Sequence, residues 1–368
     1  MKENMKFTVI GAGNGGKAMA AHLALMGKRV ALYNRTYNRI EVIAQRGGID
    51  LDNPEGERGF GKLEMVTNQI GAALEDADVI MVVIPSSGHR DVAAAAAPYL
   101  KNDQIVLLHP GRTGGAIEFM EVLRQQGCKG KPIVAEAETF IYASRSEGPS
   151  EAHIFRIKES VPLAALPAVR TPEVLDAIRT AYPQYIDGGN VLKTGLNNMG
   201  AVFHPALALL NAARIESTHG DFEFYIDGVT PAVAKVLEAV DRERVTVASA
   251  MGIRARTALE WLDLAYDAHG ADLNEAIHNQ TGYYGIKAPA TVNHRYIFED
   301  VPMSLVPIAA MGDRFGVSVR AIDSIIRLAC IVHQTDYWRR GRTLEKLGLD
   351  KLSVGEIVNY VETGEREE

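Results

Sequence analysis

The sequence predicts a doubly wound parallel α/β domain followed by an all-α domain, and three observations carry that reading. Strand-like apolar runs alternate with helical segments through the first half of the chain, the pattern of a parallel sheet covered on both faces. The first run passes directly into a glycine-rich turn and a helix. After residue 189 strand signals nearly vanish and long helical patterns take over. These features divide the chain into residues 1–189 and 190–368.

The first strand, residues 7–10, is followed by Gly11-Ala12-Gly13-Asn14-Gly15-Gly16 and an alanine- and leucine-rich helix over 17–26. A turn of this kind points backbone N–H groups and the positive end of the helix at a pyrophosphate. Gly11 makes the tight turn, Gly13 lets the backbone approach the phosphates and Gly16 lets the helix pack closely on the sheet, with Asn14 and Gly15 between them. A glycine-rich turn that binds nothing can have the same composition. The flanking strand and helix are what favour a Rossmann dinucleotide-binding unit.

The second strand, 29–33, ends where such a fold reads the ribose, and the chain there is Tyr33-Asn34-Arg35-Thr36. An NAD-preferring site usually has Asp or Glu at this point. Here nothing repels a 2'-phosphate: Arg35 can pair with it, and Asn34 and Thr36 can add neutral hydrogen bonds. An ordinary solvated arginine is the alternative. The expected cofactor is therefore NADP, with NADPH preferred and NAD still open.

Further strands are expected at 79–84, 104–108 and 132–135, with a shorter one near 155–157, and helices at 39–46 and 91–100. Pro85-Ser86-Ser87 follows one strand and Pro110-Gly111-Arg112-Thr113-Gly114-Gly115 another. Ligands of open parallel sheets bind beyond such strand ends, so both loops are expected to complete the cofactor cleft, with Pro85 and Ser86 as candidate cofactor residues; plain turns have the same residues. In the second half, helices are expected at 231–251, 257–265 and 317–339.

The net charge of −7, with both signs interspersed, suggests no nucleic-acid surface. Cys128 and Cys330 lie in no metal-ligand spacing, suit a reducing compartment and leave no expected metal site. The N-terminal residues lead straight into the first strand without the apolar core of a signal peptide, and no apolar run reaches membrane-spanning length. The expectation is a cytoplasmic protein with no membrane partner, and the apolar helical half suggests a homodimer.

A second polar constellation opens the helical half, at residues 192–205. On one continuous helix Lys193, Asn197 and His204 project from nearly the same face, towards an expected cleft. Pro205 disfavours an α conformation for His204 and should bend the helix there. A hydrogen-bonded histidine with no catalytic role is an even alternative. Further on, Asn293-His294-Arg295-Tyr296-Ile297-Phe298-Glu299-Asp300-Val301-Pro302 reads alone as a polar loop entering a helix, with Asp300 as a cap.

The chain resembles the opine dehydrogenase family, the NAD(P)-dependent octopine and N-(carboxyethyl)amino acid dehydrogenases. The resemblance is carried by the glycine turn, by residues 109–116, by Asn198 with His204-Pro205, by 210–214, by 295–301 and by 341–349. It spans residue 6 to about residue 350, in the family's order. It implies His204 as the catalytic histidine, Asp300 as its paired carboxylate and Arg295 as the guanidinium that holds a keto-acid carboxylate, with Asn198 a further substrate-site residue. It implies a helical substrate and dimerisation domain, and a reaction in which a pyruvate-like 2-oxo acid and the amino group of an amino acid condense and are reduced, or the reverse oxidation. The chain departs from the bacterial NAD-using members at Asn34-Arg35.

Two rival readings remain. A 2-hydroxy-acid or phosphopolyol dehydrogenase would do its proton work with a Lys and an Asn four residues apart, the spacing of Lys193 and Asn197. A non-catalytic NADPH-binding sensor would bind cofactor without turnover.

Overall fold

The computed structural model describes residues 5–366. Among the described residues twelve strands form two sheets within one compact unit drawn from residues 5–111, 115–194 and 356–366. They are β1 (Lys6–Ile10), β2 (Arg29–Tyr33), β3 (Gly48–Asp52), β4 (Gly59–Lys62), β5 (Met65–Thr67), β6 (Val79–Val82), β7 (Ile105–Leu108), β8 (Ile133–Ala137), β9 (Tyr142–Arg145), β10 (Glu151–Ile157), β11 (Val161–Leu166) and β12 (Tyr185–Asp187). The larger sheet runs β12-β11-β8-β7-β6-β1-β2-β5. Its pairs from β5 through β8 are parallel, β8 and β11 are antiparallel, and β11 and β12 are parallel again.

Strands buried on both faces need continuous apolar sequence, and β1, β6 and β7 are buried along their whole length. The helix Asn14–Leu25 supplies the alanines that let it lie close: Ala18, Ala20 and Ala21 have no exposed surface. The alternation of strand and helix was thus readable wherever burial is complete.

The second sheet, β4-β3-β10-β9, was not expected beyond the short strand at 155–157. Its strands mix polar and apolar residues, because several positions along them are exposed, and such half-buried strands carry little continuous apolar signal.

The other compact unit comprises residues 112–114 and 195–355. Among its described residues no strand is present, only an isolated bridge between Glu223 and Lys287. The expected helix at 231–251 is Pro231–Ala250, with Pro231 at the first turn and the Thr230 hydroxyl accepting from Val233 N–H. That at 257–265 is Ala258–Tyr266, opened by a capping box between Thr257 and Glu260. The expected single helix over 317–339 is instead two, Arg320–Val332 and Tyr337–Arg340, separated at Gln334, whose φ is +47°.

Candidate functional site

Two sets of side chains stand out, one in each unit. In the sheet unit, Gly11 follows β1 with φ +111°, and a Cβ there would lie 2.4 Å from the Val83 carbonyl oxygen. Only glycine satisfies both conditions. Its N–H donates to the Tyr33 carbonyl at 2.8 Å, tying the turn to the end of β2. At Gly16 a Cβ would stand 1.8 Å from the Gly11 carbonyl oxygen, so the contact that demands glycine is inside the turn and not against the sheet. Gly15 is pressed by the Phe140 ring, whereas Gly13 is exposed with nothing within 4 Å of a built Cβ.

This geometry fits a dinucleotide. The helix begins at Asn14 with Gly13 as N-cap, no side chain caps its first N–H groups, and no acidic residue occupies its first turn. Exposed Gly13 leaves the backbone open to an anion at the positive end of the helix.

Around the turn, Asn34 is committed locally: its Oδ1 accepts from Ala12 N–H at 3.2 Å and its Nδ2 donates to the Thr36 carbonyl at 2.9 Å. It braces the turn, a role the sequence did not reveal. Arg35 is exposed, with Nη1 3.4 Å from Asp91 Oδ2 on the equally exposed side of that pair, and Thr36 is exposed too. Pro85 is exposed and Ser86 is buried at the start of a 3-10 turn, directly after the Val83–Ile84 segment that packs on Gly11.

In the helical unit, the expected continuous helix through 192–205 is interrupted. Val191–Leu196 and Met199–Leu210 are separate helices, with Asn198 extended between them. Lys193 is exposed and belongs to the sheet unit, whereas Asn197 is buried with its Oδ1 accepting from Arg256 N–H. The shared face expected for Lys193, Asn197 and His204 is therefore not formed. Pro205 sits inside Met199–Leu210, which continues through His204 despite the disfavoured α conformation before proline.

His204 meets Asp300 there: Nδ1 lies 2.9 Å from Asp300 Oδ2. Asp300 has no exposed surface; it stands at the N-cap position of a π-helical turn, Val301–Leu305, but its side chain makes no capping bond and turns to the histidine. Such turns recur at functional sites. The Tyr296 ring stacks on His204 with centroids 4.2 Å apart, and Phe224 stacks on Tyr296 in turn. With Asp300 ionised, Nδ1 carries the hydrogen and Nε2 is left to exchange a proton.

A guanidinium from the 110–115 loop, expected at the cofactor cleft, completes the cluster in the helical unit. Arg112 Nη1 lies 3.0 Å from Asp300 Oδ1 and donates to Asn198 Oδ1 at 3.2 Å, and its Nε is 3.7 Å from Glu299 Oε1. Asn198 is buried and its Nδ2 donates to Ser304 Oγ at 2.8 Å. Arg295, half-exposed, pairs through Nη2 with Oε2 of the buried Glu299 at 2.7 Å. Burial pushes the Asp300 carboxyl up, but Arg112, His204 and Arg295 together outweigh it and hold the group below the ordinary aspartate value. Burial likewise opposes the charge of Arg112, and the carboxylates of Asp300 and Glu299 overcome it.

A dinucleotide turn on a parallel sheet, and elsewhere a histidine paired with a buried carboxylate, are features of an NAD(P)-dependent dehydrogenase, whose hydride chemistry the cofactor supplies. The octopine/nopaline dehydrogenase α-helical domain matches residues 187–333, and the N-terminal domain of NAD-dependent glycerol-3-phosphate dehydrogenase matches residues 6–125. An opine dehydrogenase of Arthrobacter sp. is 39% identical over 362 residues, 98% of this chain and 100% of the relative. Octopine dehydrogenase in complex with NADH and L-arginine has a TM-score of 0.81 at 18% identity, covering 99% of each chain. NADP+-bound yersinopine dehydrogenase has a TM-score of 0.78 at 15% identity, covering 98% of this chain and 99% of that one. The chain belongs to the opine dehydrogenase family, oxidoreductases acting on CH–NH donors.

Proposed function

We propose that the enzyme joins a pyruvate-like 2-oxo acid to the amino group of an amino acid with NADPH, and catalyses the reverse oxidation. The observation that carries the reading is the His204–Asp300 pair at 2.9 Å with Asp300 fully buried. Condensation of the oxo acid with the amine releases water and gives an imine; hydride and a proton then give the secondary amine dicarboxylate. The hydride is the chemistry supplied by the nicotinamide when bound. His204, through Nε2, gives or takes the proton, and Asp300 fixes the ring and stabilises the imidazolium. Arg295 offers a planar fork to the oxo-acid carboxylate. Asn198 holds Arg112 and Ser304 in place at the edge of this site.

Support for the substrates comes from relatives: octopine dehydrogenase has been solved with L-arginine, agmatine and pyruvate, each with NADH, and yersinopine dehydrogenase with NADP+. Support for NADPH comes from the end of β2, where Arg35 is exposed and no carboxylate stands in the Asn34-Arg35-Thr36 segment. The assignment of residues 1–189 to the dinucleotide and 190–368 to substrate and dimerisation belongs to the same proposal; the compact units move 112–114 to the second part, and 190–194 and the segment that starts at 356 to the first. We extend the proposal to a cytoplasmic homodimer. The exposed Leu328, Ile331 and Val332 of Arg320–Val332 support the dimer, and the free Cys128 and Cys330 suit a reducing compartment.

The Lys193/Asn197 alternative loses support because the helix Val191–Leu196 ends before Asn197, whose buried Oδ1 is already taken by Arg256 N–H. The test is NADPH and NADH oxidation with pyruvate against a panel of amino acids, with mass spectrometry of products. A secondary amine dicarboxylate formed faster and at lower cofactor concentration with NADPH is expected. Binding of cofactor without turnover for any pair would leave the sensor reading instead, and equal affinities would remove the NADPH preference.

A further inference from the structure

Arg112 stands at the charged cluster without having been recruited to the reaction above, and its placement is costly. It is one of few non-glycine residues with positive φ, +61°, a conformation that persists only where surroundings enforce it. Thr113 beside it supplies the enforcement: its N–H donates to the Met303 carbonyl at 3.2 Å, its hydroxyl to the Gly195 carbonyl at 2.8 Å, and its carbonyl accepts from Arg342 Nη1 at 3.1 Å. Space for the guanidinium is kept by Gly200, where a Cβ would lie 2.3 Å from Arg112 Nη1 and 3.1 Å from both Asn198 Oδ1 and Asp300 Oδ1. Asp300 Oδ1 and Arg112 Nε make no aligned hydrogen bond, so the guanidinium offers Oδ1 charge at 3.0 Å more than a directed bond.

We propose that Arg112 is a positioning residue of the reaction: by taking Asp300 Oδ1 it keeps the buried carboxylate ionised and leaves Oδ2 to orient His204. The inference rests on the reading of His204 as the acid–base group. Two carboxylates, Asp300 and Glu299, are buried side by side, and neither would stay charged in apolar surroundings without a cation of this kind. Arg295 answers Glu299; Arg112 is the cation nearest Asp300 Oδ1 among the described residues. The other titratable groups acting on Asp300 or lying beside it are His294, Arg295, Tyr296, Glu299 and Tyr225. Of these Arg295 favours the charged carboxylate directly, and half-exposed it is screened by solvent more than buried Arg112.

The experiment is a kcat pH profile of Arg112→Gln, Arg112→Lys and Gly200→Ala, with the same substrates as the parent so that substrate ionisation cancels. Loss of Arg112 should lower kcat roughly 10- to 100-fold, the usual weight of a residue that orients a site group. The acidic limb, where Asp300 takes up its proton, should rise by roughly one to three pH units, the effect of an opposite charge at this range. Arg112→Lys should restore part of both. Gly200→Ala puts its severest clash on the flexible end of Arg112, with Asn198 Oδ1 and Asp300 Oδ1 crowded less closely at 3.1 Å, so it tests the idea even if Arg112→Gln does not fold, and it should move the limb the same way. Unmoved limbs in Arg112→Gln, or in Gly200→Ala where Arg112→Gln does not fold, overturn the proposal, as does a raised KM for the oxo acid with an unmoved limb in these variants, which would make Arg112 a substrate ligand. His204→Asn, measured alongside, separates the two readings: if it retains turnover, the acid–base assignment has failed, and if it is inactive while the other variants keep the parent profile, only the role of Arg112 has.

Discussion

The glycine turn of the sheet unit and the His204 cluster of the helical unit are assembled by opposite means. The turn is made of backbone: Gly11 and Gly16 are fixed by contacts within the 11–16 segment and its neighbouring strand, and its one bracing side chain, Asn34, comes from the end of β2. The cluster is made of side chains drawn from residues 112, 198, 204, 295, 299 and 300, held by charge in a buried setting. At Gly11 and Gly16 an added atom meets backbone that cannot step aside, whereas the cluster's contacts are made by side chains whose loss removes charge and chemistry. That contrast can be broken at either end.

The largest effect is expected at the cluster. His204→Ala should lower turnover by roughly two to four orders of magnitude, the range of general acid–base catalysis, while cofactor affinity stays at the parent value. Asp300→Asn should slow turnover too. Stopped-flow turnover and cofactor titration on the same preparations check it. A mild His204→Ala beside an inactive Lys193→Ala would move the proton route to the rival Lys/Asn pair.

At the turn the split should run the other way. Gly16→Ala forces a Cβ to within 1.8 Å of a carbonyl oxygen, which neither neighbour can relieve by a rotamer change. It should lower Tm and weaken NADPH binding by more than tenfold, the weight of a lost contact to a charged group. Gly13→Ala meets open space at φ −78°, so it should leave Tm unchanged and weaken cofactor affinity alone. A Gly13→Ala protein with the parent's affinity would mean that the phosphates do not approach the backbone there.

These two sites also differ in how far the sequence disclosed them. The glycine turn, β1, β2, β6 and β7 were legible because their constraints are local: complete burial on both faces and a conformation only glycine adopts. The second sheet was not, since β3, β4 and β10 carry exposed polar positions. His204 and Asp300 were each visible locally, but only the family resemblance paired them, and their contact at 2.9 Å across 96 positions has no local signature. Arg112 lies in the glycine-rich 110–115 loop, and only the fold brings it to Asp300. The single face proposed for Lys193, Asn197 and His204 failed because Asn198 is extended and interrupts the helix, a break that helical spacing does not reveal.

A smaller effect should separate binding from chemistry within the cluster. Arg295→Lys keeps the charge facing Glu299 but loses the fork that matches a carboxylate. The KM for the oxo acid should rise by roughly tenfold, as for one lost charge-assisted bond, with little change in that for NADPH. Initial-rate kinetics with each substrate varied in turn check it. Oxo-acid kinetics identical to the parent's would leave Arg295 as the surface partner of Glu299 alone.

The smallest effect concerns stability, and it contrasts how the two units handle a buried titratable group. Asp300 is surrounded by cations, so its charged form is the native one; its stabilisation is present above the ordinary aspartate range and is lost as pH falls through its lowered value. His109, at the end of β7, has no charged partner: Tyr185 Oη lies 3.0 Å from its Nδ1 and Met81 Sδ 3.2 Å from its Nε2. Burial alone lowers it from 6.5 to about 3. Between those values the unfolded chain binds a proton that the native state does not, so the contribution is complete above 6.5 and declines as pH falls towards 3. Burial also lowers His22 and His294, which act in the same direction, so removing His109 should reduce the slope without abolishing it. His109→Gln retains an acceptor for Tyr185 and cannot titrate. Its Tm should fall less than the parent's between pH 6.5 and 4.5, a window that opens at the ordinary histidine value. Parallel Tm profiles for the two proteins would show that His109 does not set the acid sensitivity of the sheet unit.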